Sequence, residues 1–294
     1  MALPRLTFVT GKGGTGKSTV AAALAMAWSR RRPTTLGDLD GRQSVARLVD
    51  MQTADAHAAL DFLAITPRGE LEAFIHRIVP LRAVSRRMLQ SRTFGYVTAA
   101  LPGLEAFVML ERMRLLAGDA ALNDRYAVID APATGHALEL LAVAGSLRKL
   151  APTGRLNRLS SAVEEFLIDR NRFGVILTVL PEELALREAI EAAAALRNFG
   201  IECIGAILNG VAPALFTAAE IAKLSPLEAH ARLAARRREL SEFADRARRE
   251  LQQAGIAVTE LPMIYETALD ADAVGTLSRI LETDFLDAQA DAAE

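Results

Sequence analysis

The sequence has few sulfur atoms and few aromatic rings: Cys203 is its single cysteine, and aromatic residues make up 5% of its 294 residues. One cysteine excludes an intramolecular disulfide and any zinc site that needs several cysteines of one chain. Hydrophobic residues still reach 51%, and many of them are alanine, the strongest helix former. The composition therefore favours a helix-rich protein that is long enough for a sizeable core.

A strong net charge and long apolar runs are also missing. The formal net charge is −2, so the overall charge favours neither nucleic acid nor an acidic membrane as a partner. No apolar run approaches the ~20 residues that a membrane-spanning helix needs, and the N-terminus enters a strand-like pattern instead of a signal peptide. We therefore expect a cytoplasmic protein with no nucleic-acid partner and no stable membrane span.

Short apolar runs alternate with longer helical patterns along the chain. The strand candidates are residues 5–10, 34–38, 60–66, 126–130, 174–180, 203–208 and 257–261. Strands that are apolar throughout and interleaved with helices indicate an α/β fold, in which a mostly parallel, doubly wound sheet is covered on both faces. Ligands of such sheets bind at the carboxyl ends of the strands.

Two stretches, 70–122 and 136–172, show helical pattern without a confident strand, and we expect them to form one helical subdomain beside the sheet. Apolar and methionine residues between 88 and 116 either form an adaptable groove or pack the core of this subdomain, and the core is favoured. We expect residues 1–286 to form a single domain and residues 287–294 an acidic tail.

Nine residues, 11–19, match the phosphate-binding pattern G-x-x-x-x-G-K-[ST] between the first strand and the first helix. Glycines allow backbone N–H groups to surround phosphate oxygens, and the helix start favours an anion. Lys17 would reach the β- and γ-phosphates, and Ser18 would bind Mg²⁺. The motif therefore predicts that the protein binds ATP or GTP. The residues that would hold the phosphates are Gly11, Lys12, Gly13, Gly14, Thr15, Gly16, Lys17, Ser18 and Thr19.

Three further residues each allow two interpretations. Lys12 is either a solvated loop lysine or a charge that meets a phosphate across a dimer interface. Asp40, after the second strand, would orient water or hold a Mg²⁺-bound water, although turns and helix caps also favour Asp. Asp130, at the end of an apolar strand, is either a magnesium-binding aspartate or part of a plain turn, and the loop 130–136 that follows could change shape with the nucleotide.

Together these motifs resemble the arsenite-pump ATPase and tail-anchored-protein-targeting family, one of the deviant-Walker (SIMIBI) P-loop NTPases. Lys12 matches the signature lysine of that class. Residues 40–44 are similar to the family's switch I, with Gly41 and Gln43 as departures from it, and residues 130–136 are similar to switch II with one residue fewer. Other matching segments are 181–188, 208–210 and 261–262.

The resemblance implies a role for each matching residue. Lys12, Lys17 and Asp40 would be catalytic, with Lys12 reaching the nucleotide of a partner subunit. Asp40, Ser18 and Asp130 would contribute to the magnesium site. Asn209 would read the edge of adenine, and Pro262 would lie where adenine packs. The departures in switch I make the assignment of Asp40 weaker than that of Lys17.

The resemblance also implies a function: an ATPase that uses ATP/ADP and Mg²⁺, works as a homodimer or with a similar paralogue, and couples nucleotide state to a protein client. Residues 224–240, which resemble the zinc-clamp segment of eukaryotic targeting factors, contain no cysteine, so no zinc is expected. Cys203 alone cannot form a thiolate site for arsenite, so arsenite pumping is not expected as its function. The alternatives are a spatial-organising ATPase of the septum-placement or partition type and a nucleotide-dependent interaction module with little turnover.

Overall fold

The computed structural model describes residues 3–39, 45, 48–49, 59–78, 103–118, 125–150, 152–223, 229–265 and 270–287. Its centre is a seven-stranded sheet in which every neighbouring pair is parallel. The strands are β1 (Leu6–Gly11), β2 (Thr34–Asp38), β3 (Leu60–Ala64), β4 (Tyr126–Ala133), β5 (Phe173–Val179), β6 (Cys203–Val211) and β7 (Val258–Pro262). Their order is β3-β2-β4-β1-β5-β6-β7, which confirms the predicted parallel α/β fold.

Helices cover both faces of this sheet. They are α1 (Lys17–Ser29), α2 (Pro67–Ile78), α3 (Leu104–Gly118), α4 (Thr134–Leu150), α5 (Gly154–Ile168), α6 (Glu183–Asn198), α7 (Ala218–Ile221), α8 (Ala229–Gln253) and α9 (Ala271–Leu281), with a π-helix at Glu282–Asp287. Every residue of β1 and of β5 is buried, as expected for strands between two helical layers. None of the described helices is both long and apolar enough to cross a membrane.

The sheet separates two hydrophobic clusters. One contains α1, α9 and the π-helix, and residues 19–29 of α1 are all buried there. Its many alanines allow α1 to lie close to the sheet and to α9. Ion pairs border this cluster just after the end of α1. Arg30 pairs with Glu282 at 2.6 Å, and Arg31 pairs with Glu282 at 3.3 Å and with Asp287 at 2.6 Å.

The other cluster joins the opposite face of the sheet to helices α2 to α6 and α8. Phe107, Leu110 and Met113 of α3 are fully buried in the same cluster as Phe8 of β1. In the part of the predicted subdomain that the structure describes, these residues therefore pack the core and do not line a groove. Met88, Leu89, Phe94 and Leu101 lie outside the described residues, and the domain boundaries stay a prediction.

Candidate active site

The phosphate loop (residues 11–19) connects the central strand β1 to α1 at the carboxyl edge of the sheet. Gly14 and Gly16 have φ angles of +87° and +85°, in the left-handed region that favours glycine. Gly13 and Gly14 are exposed, and a Cβ at either position would meet no atom within 4 Å. The glycines thus leave open space beside the backbone, as a loop that surrounds a phosphate requires.

The carbonyl oxygen of Lys12 holds the loop together. It accepts hydrogen bonds from Thr15 N at 3.3 Å, from Thr15 Oγ1 at 2.9 Å and from Lys17 Nζ at 3.3 Å. The ammonium group of Lys17 therefore lies against the loop itself, where a phosphate would compete for it. Thr15 and Thr19 are buried, so the last part of the motif anchors the loop to the protein.

The side chain of Lys12 contacts its own subunit. Its Nζ lies 3.2 Å from Oε1 of Glu188 in α6, and the two side chains are 29% and 37% exposed. Sequence reasoning singled out Lys12 but not this acidic partner, although Glu188 ends the segment 181–188 that resembles the family. This ion pair gives the side chain of Lys12 a defined position within its own subunit. Neither of the two earlier interpretations, a solvated loop lysine or a contact across a dimer interface, included such a partner.

Ser18 and Asp130, both expected at the magnesium site, are in direct contact. Ser18 Oγ donates a hydrogen bond to Asp130 Oδ2 at 2.6 Å, and Asp130 is 2% exposed on β4, paired with Val9 of β1. Mg²⁺ prefers such hard oxygen donors and is usually bound by one or two carboxylates together with substrate phosphates. The pair fits that chemistry. The described residues contain no group of three or more His, Cys, Asp or Glu side chains that would hold a metal without phosphate.

Switch II differs from the prediction that the strand ends at Asp130 and a loop follows. Strand β4 continues to Ala133, and α4 begins at the next residue. The register with β1 shifts between Val9 and Gly11, and Thr10 Oγ1 donates to the carbonyl oxygen of Pro132 at 2.8 Å. Because proline cannot donate to a regular ladder, this shift and the side-chain bond allow the strand to continue through it.

Asp38 begins the acidic motif at the end of β2, and the sequence analysis assigned the role of this motif to Asp40 instead. Asp38 is fully buried at the end of β2, and it is the register partner of Asp130 on β4. Leu39 N then donates to the carbonyl oxygen of Asp130 at 3.1 Å, so the end of β2 lies beside the start of switch II. The sequence contained one sign of this position: Asp38, like Asp130, is the last residue of a run that was predicted to be a strand. Asp40 and residues 41–44 lie outside the described residues, and the role of Asp40 stays a prediction.

The two residues expected near adenine lie on neighbouring strands. Asn209, near the end of β6, donates from Nδ2 to the carbonyl oxygen of Thr15 at 2.9 Å, so its amide contacts the phosphate loop. Pro262 is exposed at the end of β7, opposite Val211 of β6. Both positions lie at the carboxyl edge of the sheet, and their contact with adenine stays a prediction.

Cys203 is remote from this edge, because it begins β6 at the amino end of the strand. Burial raises the pKa of its thiol to about 11, and its Sγ lies 3.8 Å from the carbonyl oxygen of Gly205. A thiol with a raised pKa is a poor nucleophile and a poor metal ligand. This environment is that of a structural thiol.

Comparison with known proteins identifies the class of this site. The family described as Anion-transporting ATPase matches residues 4–153, just over half of the chain and the part that contains the phosphate loop and Asp130. The chain belongs to this family, and the protein is an ATP-binding ATPase.

Individual relatives support the same assignment. ATPase BagA of Mycobacterium tuberculosis is 30% identical over 248 residues, covering 77% of this chain and 71% of that protein. The arsenical pump-driving ATPase of Escherichia coli is 25% identical over 217 residues, covering 69% of this chain and 34% of that protein. An arsenical pump-driving ATPase of Acidiphilium multivorum is 27% identical over 222 residues, with the same two shares. This chain thus spans about a third of the length of these two pump-driving ATPases.

Proposed function

We propose that the protein is a nucleotide-driven switch that pairs with a second copy or with a similar paralogue. ATP-bound subunits would meet across their phosphate loops, and Lys12 of each would contact the nucleotide of the other. A cation supplied by a partner stabilises the charge that develops in phosphoryl transfer. Hydrolysis would then release the pair and change the affinity for a protein client.

The observation that carries this proposal is the position of Lys12. Its carbonyl oxygen is built into the loop, while its ammonium group reaches outward to Glu188 and is partly exposed. Lys17 already supplies a cation from within the same loop. A second lysine that is anchored by its backbone but held by a solvent-accessible ion pair is suited to contact a nucleotide other than its own.

The remaining site residues have roles within one subunit. Lys17 and the N–H groups of the loop would bind the phosphates, and Ser18 with Asp130 would hold Mg²⁺. When bound, Mg²⁺ offsets the negative charge of the phosphates. Asp40 would position the attacking water. Ser18 donates its hydroxyl hydrogen to Asp130, which leaves the lone pairs of Ser18 Oγ available to the ion, so this hydrogen bond can persist when Mg²⁺ is bound.

A route from the nucleotide to a client begins at the same contact. Asp130 lies on the strand segment that leads without a break into α4. Leu39, which precedes switch I, and Pro132 of switch II also line a cavity of about 310 Å³, together with Met109 of α3 and His136 and Val143 of α4. A movement at Asp130 would therefore change the shape of this cavity, and a client that binds α3 and α4 would respond to nucleotide.

The first test measures mass by light scattering during size-exclusion chromatography, with ADP and with ATP. We expect the ATP-bound mass to be twice the ADP-bound mass for the wild type and for Lys149→Ala, a control that removes an exposed lysine elsewhere. Lys12→Ala should stay monomeric or pair weakly, and it should hydrolyse ATP slowly. A wild type that remains a monomer with ATP would rule out the switch.

A second test asks whether Lys12 acts on the partner subunit. Lys12→Ala keeps its own phosphate site, whereas Lys17→Ala keeps Lys12 but loses the main phosphate-binding cation. Each variant alone should have little activity. Mixing them should restore hydrolysis, because the Lys17→Ala subunit supplies Lys12 to the ATP bound by the other. Activity that simply averages the two separate variants would show that Lys12 does not act across an interface.

A further inference from the structure

We infer that Asn209 is a positioning residue for the phosphate loop: its side-chain amide fixes the peptide between Thr15 and Gly16, and thereby strengthens the binding of the phosphates whatever base is attached. This role differs from the reading of adenine that the family resemblance implies. It depends on nucleotide binding by a single subunit and not on the proposed pairing of subunits.

The inference begins with the hydrogen bond from Asn209 Nδ2 to the carbonyl oxygen of Thr15, at 2.9 Å. The N–H and the hydroxyl of Thr15 are both bound to the carbonyl oxygen of Lys12, at 3.3 and 2.9 Å. Thr15 is therefore held on its amino side by the loop and on its carboxyl side by β6. The residue is 1% exposed, so water does not compete for these bonds.

Peptide geometry carries this restraint to the next residue. A trans peptide is planar, and its C=O and N–H groups point in opposite directions. Because Asn209 holds the Thr15 carbonyl oxygen from the side of β6, the N–H of Gly16 is directed away from that strand. Backbone N–H groups of such a loop are the donors that bind phosphate oxygens. The amide of Asn209 thus fixes the orientation of a phosphate donor without contacting the phosphate.

A second observation connects the same two residues. A Cβ added at Gly16 would lie 2.3 Å from Nδ2 of Asn209, so the side chain of Asn209 fills the space that a side chain at position 16 would need. Gly16 also has a φ of +85°, which disfavours other residues there. The glycine of the motif therefore permits both the backbone conformation and the approach of Asn209.

The two roles of Asn209 predict different losses when its amide is removed. If Asn209 reads adenine, its removal weakens ATP but leaves a ligand without a base unaffected. If Asn209 positions the loop, its removal weakens every ligand that binds through its phosphates, by one common factor. Inorganic tripolyphosphate is the probe that separates these cases, because it carries the phosphates and no nucleoside.

The experiment measures dissociation constants of ATP, GTP and tripolyphosphate, all with excess Mg²⁺, by competition with a fluorescent nucleotide. Asn209→Ala removes the amide. Asn209→Asp keeps the size of the side chain but replaces the donor with a carboxylate that faces a carbonyl oxygen. Asn198→Ala, at the exposed end of α6, is the matched control. For Asn209→Ala we expect all three ligands to bind about 3- to 10-fold more weakly, the range for one hydrogen bond between neutral groups, and for Asn209→Asp the loss should be at least as large because of the added negative charge.

Two further readouts separate positioning from a general loss of structure. The thermal unfolding midpoint of the apo protein should fall by only a few degrees, as expected for the loss of about one hydrogen bond, and kcat at saturating ATP should change less than KM. The inference is overturned if tripolyphosphate binds the variants as it binds the wild type, whether or not ATP is weakened. It is also overturned if the affinity is lost only because part of the variant protein is unfolded. In that case Asn209→Asp would bind the ligands normally under conditions in which it is fully folded.

Discussion

Replacing Glu188 with glutamine should make the subunits pair more readily in the presence of ATP. The substitution keeps the shape of the side chain but removes the charge that binds Lys12 Nζ at 3.2 Å. In the proposed pair, Lys12 leaves Glu188 and moves to the phosphates of the other subunit. The ion pair with Glu188 therefore stabilises the unpaired subunit, and its removal lowers the cost of pairing.

The size of the effect follows from the exposure of this ion pair. The side chains of Lys12 and Glu188 are 29% and 37% exposed, and ion pairs of this kind contribute about 0.2–1 kcal/mol each. Two such pairs break when two subunits meet, which gives about 0.4–2 kcal/mol in total. The dissociation constant of the pair should therefore fall by about 2- to 30-fold. The difference should shrink at high salt, because exposed charges are screened.

Sedimentation velocity over a range of protein concentrations, with ATP and Mg²⁺, measures this dissociation constant. Glu191→Gln is the matched control, since it removes the same charge from an exposed position one turn further along α6. Glu188→Gln should also have no effect in a Lys12→Ala background, because the two residues act through one contact. The reasoning is refuted if Glu188→Gln pairs no more tightly than Glu191→Gln, or if its effect persists without Lys12.

Three other substitutions test separate parts of the structure. Gly16→Ala should weaken the binding of ATP in a titration by more than Asn209→Ala does, because position 16 has a left-handed backbone and its Cβ would also displace the amide of Asn209. Asp130→Asn should remove the Mg²⁺ dependence of nucleotide affinity while binding of ATP without Mg²⁺ persists, since the Ser18 hydroxyl would then face a neutral amide. Glu282→Gln should lower the free energy of unfolding in urea by about 1 kcal/mol at pH 7. Partial burial raises the pKa of Glu282, but hydrogen bonds and charge from Arg30 and Arg31 outweigh it and lower that pKa from 4.5. This stability is present above pH 4.5 and is lost as the pH falls through the lowered pKa, so the two proteins should converge in acid.

The strands were predictable from the sequence because most are short apolar runs, as in β1 and β5, which are buried along their whole length. All seven predicted positions correspond to strands, and β2 has the predicted bounds. The largest errors lie at carboxyl ends: β4 continues past Asp130 to Ala133, and β6 continues past Leu208 to Val211. In both strands the register shifts at that point, and Pro132 or Gly210 reads locally as the end of a strand.

The phosphate loop was predictable because its function requires neighbouring residues of fixed type. The contacts around it depend on elements that are distant in sequence. Asn209 is 194 residues from Thr15 in the sequence. Glu188 lies on α6 at a position that the local sequence pattern assigns only to the solvated face of the helix. Asp38 and Asp40 both follow an apolar strand, and the register between β2 and β4 distinguishes Asp38 as the buried neighbour of Asp130. Such relations require the sheet order, which local spacing does not contain.

The division of the interior by the sheet has a consequence for how a nucleotide could move the protein. The helix that follows the phosphate loop belongs to one cluster, whereas α4 and α6 belong to the other. The loop therefore touches both compartments at their shared border: Ser18 on one side, and Glu188 on the other through Lys12. A ligand at this border contacts elements of both layers at once, so its binding energy can act on the packing of either face of the sheet.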